Sequence, residues 1–127
     1  MHDFLADAMT ALRNAEFVGK SNCVLNYSSS MMKDVLRIFK DNGYIVGYEV
    51  IDDGRGGKID VKLNGMINDC KPIKPRHSVK KDEYVKFEKR YLPASNVGVI
   101  IVSTSQGIKS HKDVKGKIGG SLIVYIY

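Results

Sequence analysis

Val97-Gly98-Val99-Ile100-Ile101-Val102 runs directly into Ser103-Thr104-Ser105-Gln106-Gly107. A continuous apolar run of this length, dominated by β-branched residues, predicts a buried strand. The polar pentapeptide after it reads as a turn, and the strand before it would hold that turn rigidly. Further along, Ser110 offers a cap for a short helix through Lys115, Gly119-Gly120 breaks the chain, and Leu122 to Tyr127 reads as a closing strand ending in aromatics. On the other side of the run, Tyr84, Val85 and Phe87 suggest a strand, followed by a short helix or turn over residues 89–94.

The N-terminal half has a different pattern. Leu5, Ala8, Met9 and Leu12 recur at three- and four-residue intervals, so 3–17 reads as a helix that Asp3 can cap and Gly19 ends. A short strand is expected over 22–27. Met31, Met32, Val35, Leu36 and Phe39 form a second helical stripe, capped from Ser28-Ser29-Ser30 and stopped at Asn42-Gly43. Tyr44 to Ile51 is rich in β-branched and aromatic residues, and Ile59, Val61 and Leu63 alternate with polar ones, predicting two strands around a turn-rich loop. The expected class is α+β. We expect an α-β-α-β-β lobe over 1–70 and a mainly antiparallel lobe with short helices over 71–127.

The 127 residues carry a net charge of +6, but unevenly. Residues 1–70 hold 8 Lys and Arg against 10 Asp and Glu, whereas residues 71–127 hold 12 against 4. A half at +8 points to a polyanionic partner, and a phosphate-binding face is to be sought there first. Apolar residues make up 43% of the chain, enough for a packed interior, yet no run approaches a membrane span. Asp3 and Asp7 with no apolar segment after them argue against a secretory signal. Cys23 and Cys70 form neither a C-x-x-C pair nor a disulfide framework, so a reduced, cytosol-like compartment is expected.

Catalytic motifs find no support. His2, His77 and His111 lack the spacing of a zinc site, so no metal or other cofactor is expected. Ser105 precedes His111 by six positions, but no G-x-S-x-G elbow surrounds it. The Gly54-Arg55-Gly56-Gly57 segment has no helix after it and reads as a hairpin turn rather than a phosphate cradle. The Ser103–Gly107 turn offers three hydroxyls and an amide, groups suited to ribose, phosphate and base edges, although an ordinary polar turn would look the same. Tyr84 beside Lys80, Lys81 and Lys86 fits the pattern for stacking bases while neutralising phosphates; a core-facing ring is equally compatible.

Ser103-Thr104-Ser105-Gln106-Gly107 followed by Gly119-Gly120-Ser121-Leu122-Ile123-Val124-Tyr125 resembles the bacterial-type small-subunit ribosomal protein eight family, with its S-T-S-K-G turn and G-G-E closing strand. Asp3, Ala6, Asp7, Thr10, Arg13, Asn14 and Ala15 are similar to its first helix, and Leu36 to Ile45 to its L-x-x-x-G-[FY]-I segment. Tyr84, nineteen residues before Ser103, matches the family's tyrosine. The resemblance spans essentially the whole chain. It implies a two-lobe, non-enzymatic protein of the small ribosomal subunit that binds the central domain of 16S-type rRNA around helix twenty-one. The implied RNA-binding residues are Ser103, Thr104, Ser105, Gly107 and Tyr84, with Gly119 and Gly120 shaping the approach and Arg13 and Asn14 serving from the first lobe. Lys80, Lys81 and Lys86, with Lys74 and Arg76, would neutralise phosphates. Neighbouring small-subunit proteins are the other implied partners, the protein's own mRNA a further one, and no membrane is involved. The implied place is the cytoplasmic small subunit, with an organellar ribosome as the alternative. A non-ribosomal RNA-binding translational regulator is the alternative function. Gln106 replaces the usual lysine, Ser121 the usual glutamate, Ala11 stands where a basic residue is common, Asn26 to Met31 lacks the family's lysines, and Val79-Lys80-Lys81 replaces an S-K-P-G turn. These departures mark a divergent member.

Overall fold

Apolar residues at helical spacing in the first half bury one face of each of two helices. In the computed structural model, which describes residues 4–26, 30–51, 57–73, 77–94 and 97–127, α1 (Phe4–Phe17) buries Ala8, Met9, Leu12 and Ala15. Helix α2 (Ser30–Asp41) buries Met32, Val35, Leu36, Ile38 and Phe39. Both end alike: the Lys20 N–H donates to the Ala15 carbonyl at 2.9 Å and the Tyr44 N–H to the Phe39 carbonyl at 2.9 Å, each closing a Schellman turn. Strands β1 (Asn22–Leu25), β2 (Ile45–Ile51) and β3 (Lys58–Leu63) form an antiparallel sheet in the order β1-β3-β2. Ile59, Val61 and Leu63 of the central strand are buried, as their alternation predicts. The expected helix cap at Asp3, the caps at Ser28 and Ser29, and the loop residues 52–56 lie outside the described residues.

These elements belong to one compact unit, residues 1–68; residues 69–127 form a second. The second unit contains β4 (Cys70–Pro72), β5 (Ser78–Val79), α3 (Tyr84–Tyr91), β6 (Val99–Thr104), β7 (Gly107–Ser110), α4 (His111–Val114) and β8 (Gly120–Ile126). Its sheet has the order β4-β8-β6-β7, with β5 also paired to β8, and every pairing is antiparallel. The α+β class and the α-β-α-β-β order of the first half are as expected. Of the Val97–Val102 run, Val99, Ile100, Ile101 and Val102 lie in β6 and are all buried, whereas Val97 precedes the strand, bridges to Ala94 and is exposed. Opposite it, Ile101 pairs with Val124 and Val102 with Leu122, leaving Ile123 as an extra residue in β8. This bulge resets the alternation of the strand, so Leu122 and Tyr125 share a face with Val102 and Ile100 although they are three positions apart. That face packs on Tyr84, Phe87, Leu92 and Val114.

One expectation is corrected. Tyr84, Val85 and Phe87 lie in helix α3. Tyr84, Phe87, Glu88 and Tyr91 fall on one helical face, which packs on the sheet, while Val85 and Lys86 are exposed. Over four residues, Tyr-Val-Lys-Phe alternates like a strand; only the continuation to Tyr91 reveals the longer period.

Candidate nucleic-acid interface

The polar turn is the tip of a hairpin. Thr104 of β6 pairs with Gly107 of β7, and Ser105-Gln106 form the loop between them. The Thr104 hydroxyl donates to the Gly107 carbonyl at 2.8 Å and accepts from the Gln106 N–H at 3.1 Å. Its single proton is thereby committed, so Thr104 shapes the loop. Gly107 has φ 111°, a conformation open to glycine and not to ordinary side chains. Ser105 and Gln106 project from the tip and are exposed.

Across the sheet from the hairpin base runs a row that the sequence alone did not reveal. Ser103 on β6 faces Ser121 on β8, and Ser121 faces Ser78 on β5. Directly paired residues present their side chains on one face, so three hydroxyls line up across three strands. None of the three is hydrogen-bonded to another side chain or carbonyl among the described residues, and all are at least partly exposed. The signal lay in pairing, which no periodicity within a single segment could supply.

Gly119-Gly120 occupies the gap between β5 and β6. A Cβ on Gly119 would collide with the Val79 carbonyl oxygen, and one on Gly120 with the Ser103 carbonyl oxygen while lying 2.7 Å from Val102 Cγ1. Both obstacles are backbone or core and cannot swing aside. The glycine pair therefore lets three strand ends converge, and brings Lys80, whose Cα would lie 3.1 Å from a Gly119 Cβ, to the serine row. The Lys80 N–H donates to Glu83 Oε1 at 2.9 Å, and the Gly116 N–H donates to the Lys81 carbonyl at 2.9 Å, so the backbone beneath both lysines is anchored while their side chains stay exposed.

Tyr84 has a role other than base stacking. It is 0% exposed, and its hydroxyl donates to the Ile118 carbonyl at 2.9 Å. Burial pushes its phenol above the usual value, keeping it a neutral donor. Tyr84 thus ties helix α3 to the residue before the glycine pair and positions the site from beneath. Its ring offers no face to a ligand, because the strand expected there is a helix that turns it into the core.

Another buried junction supports the hairpin from the opposite end of β7. Ser110 caps α4, accepting from the Lys112 N–H at 3.1 Å, as expected from its sequence position. His111, 2% exposed, accepts the Ile100 N–H on Nδ1 at 2.9 Å. That leaves its proton on Nε2, which lies 3.3 Å from Glu88 Oε1, an oxygen that Lys115 Nζ also meets at 2.9 Å. Burial depresses the imidazole pKa; the Glu88 carboxylate opposes this without reversing it. His111 is therefore a structural, neutral side chain. Among the described residues no group of three His, Cys, Asp or Glu could hold a metal ion, and neither Cys23 nor Cys70 is in a disulfide.

The remaining expected residues are dispersed. Lys86 stands on α3, its Nζ 5.7 Å from the Phe87 ring centroid. Arg13 and Asn14 lie on α1 in the other unit, where Asn14 lines an open groove with Ala11, Ala15, Lys20 and Asn22. Lys74 and Arg76 lie outside the described residues. One end of the second unit's sheet thus gathers Ser78, Ser103, Ser105, Ser121, Gly107, Gly119, Gly120 and Lys80 around neutral hydroxyls with cations at the edge. The unit carries 12 Lys and Arg against 5 Asp and Glu. Such a surface can donate and accept hydrogen bonds and neutralise phosphate, but holds no nucleophile–base pair.

The family model described as "Ribosomal protein S8" matches residues 3–127. Small ribosomal subunit protein uS8 of Archaeoglobus fulgidus is 48% identical over 126 residues, covering 98% of both chains. The uS8 of Haloarcula marismortui is 44% identical over 127 residues, covering 99% of this chain and 98% of its own. A family model across nearly the whole length, joined by relatives at this identity, means that the chain belongs to the ribosomal protein S8 family.

Proposed function

We propose that this chain is a non-catalytic constituent of the small ribosomal subunit in the cytoplasm, and that it holds the central domain of 16S-type rRNA, around helix twenty-one, during assembly. The observation that carries the reading is the convergence of the Ser105 hairpin, the Ser78–Ser121–Ser103 row and Lys80 at one sheet end, in a chain whose relatives are named small-subunit proteins. Ser103, Ser105 and Ser121 supply direct contacts to sugar and base edges; Lys80, Lys81 and Lys86 supply phosphate neutralisation. Thr104, Gly107, Gly119, Gly120 and Tyr84 give the surface its shape. Arg13 and Asn14 add contacts from α1. A messenger that copies the same RNA shape would be held by the same residues.

The test is binding to a helix-twenty-one hairpin against an unrelated hairpin of equal length. Four to six phosphate contacts give a log K against log salt slope of about −3 to −5. A flat salt dependence, or equal affinity for both hairpins at moderate salt, would sink the reading. Co-sedimentation with small subunits at high salt separates a ribosomal constituent from a free translational regulator.

A further inference from the structure

Along α3 and the far end of β8 runs a feature that the hairpin site leaves unused. Ring centroids form an unbroken series from His77 to Phe87 at 5.7 Å, Phe87 to Tyr91 at 6.5 Å, Tyr91 to Tyr125 at 5.3 Å and Tyr125 to Tyr127 at 6.2 Å. The last three pairs lie within 25° of parallel. Phe87 roots the series in the core, while Tyr91, Tyr125 and Tyr127 are half-buried and keep part of themselves at the surface. One cation lies against it, the Arg90 guanidinium 5.5 Å from the Tyr91 centroid; Lys71, the cross-strand partner of Tyr125 on β4, sets its Nζ 4.0 Å from Asp69 Oδ2, the oxygen to which the Tyr127 hydroxyl donates at 3.5 Å. From Ser121 to Tyr127 the strand covers roughly 20 Å, so this ridge is separate from the hairpin site.

Filling a core does not call for three tyrosines in a row with a guanidinium resting on the first. Rings held parallel and partly exposed offer stacking area at little entropic cost. An arginine already ordered over a ring loses less freedom on meeting a phosphate. Aromatic surface interleaved with positive charge matches a nucleic-acid strand, whose bases stack and whose phosphates need neutralising. An acidic protein patch would satisfy the cations without using the rings. We infer that the Tyr91–Tyr125–Tyr127 ridge, with Arg90 and Lys71, is a second RNA-binding surface for an unpaired segment of the same RNA whose paired part sits at the hairpin site. This rests on the function proposed above.

The test uses the full chain with two RNAs: a helix-twenty-one hairpin alone, and a transcript of the whole central domain. For the double variant Arg90→Ala/Tyr91→Ala, affinity for the hairpin should remain, while affinity for the transcript falls about tenfold and its salt slope shrinks by about one. If the double variant fails to fold, Arg90→Glu, which leaves the ring packing in place, must show the same transcript-specific loss. Wild-type binding of both RNAs by folded variants overturns the inference and leaves the earlier reading intact. So does weaker incorporation into reconstituted subunits without any change in RNA binding, which would assign the ridge to a protein neighbour. If the wild-type chain itself prefers neither RNA over an unrelated one, the proposed function fails and takes the ridge with it.

Discussion

Thr104 and Ser105 are adjacent hydroxyls with opposite duties. The Thr104 proton is committed to the Gly107 carbonyl, whereas Ser105 stands exposed at the tip. Ser105→Leu should leave urea stability within about 0.5 kcal/mol of the parent, as exposed substitutions usually do, yet lose preference for the cognate hairpin. Thr104→Val should cost ~0.5–1.5 kcal/mol and loosen the tip, because two hydrogen bonds go at once. Equal effects of the two on stability would refute this division. Tyr84→Phe separates positioning from contact in the same way. It deletes only the bond to the Ile118 carbonyl, so a loss of ~1–3 kcal/mol in unfolding free energy is expected, with RNA affinity falling through displacement of the glycine pair. The family resemblance made Tyr84 recognisable as important but could not give its reason: both a stacked and a buried tyrosine satisfy the same pattern, and only the helix around it decides.

Helices α3 and α4 and strand β6 meet at His111, and their junction is sensitive to acid. The native imidazole pKa is depressed below its ordinary value near 6.5, so the unfolded chain binds the proton more readily than the folded one. Stability is therefore full above about pH 6.5 and falls as the pH drops through that value towards the lowered native pKa. Protonation would also set an N–H on Nδ1 against the Ile100 N–H. Thermal melts between pH 7.5 and 5 should show this decline, and His111→Gln should flatten it. An identical decline in that variant would place the acid sensitivity elsewhere. At this scale the sequence was most legible where a segment makes its own periodicity: α1, α2, β3 and β6 each carry a full stripe or run of apolar residues. It was least legible at β4 and β5, strands of three and two residues that exist only because β8 is there to pair with them. The Ser78–Ser121–Ser103 row was hidden for the same reason, since its members come from three separate segments.

For the molecule as a whole, charge and shape have separate tasks. On the function proposed above, the excess of Lys and Arg in residues 69–127 would draw in RNA of any sequence, and the nearly uncharged serine surface would discriminate. Lys81→Ala should accordingly weaken binding to all RNAs alike and lower the salt slope by about one, while Ser105→Leu changes the ratio between RNAs. Replacing Gly120 by alanine should cost at least ~1–3 kcal/mol, because the added methyl would push against the Ser103 carbonyl and the Val102 and Thr104 side chains. That convergence of strand ends has a consequence for how the protein is made. The first unit draws its three strands from one continuous stretch and can close as soon as residue 63 has emerged. The second unit is organised around β8, which follows its other strands in the chain and, among the described residues, joins β4 and β5 to β6. A nascent chain interrupted before residue 120 would thus lack the strand that brings Ser78, Ser103 and Ser121 together, keeping of the proposed contacts only those of Arg13 and Asn14 on a folded first half. The serine row is therefore completed only when β8 pairs, after every other strand of the unit has been made.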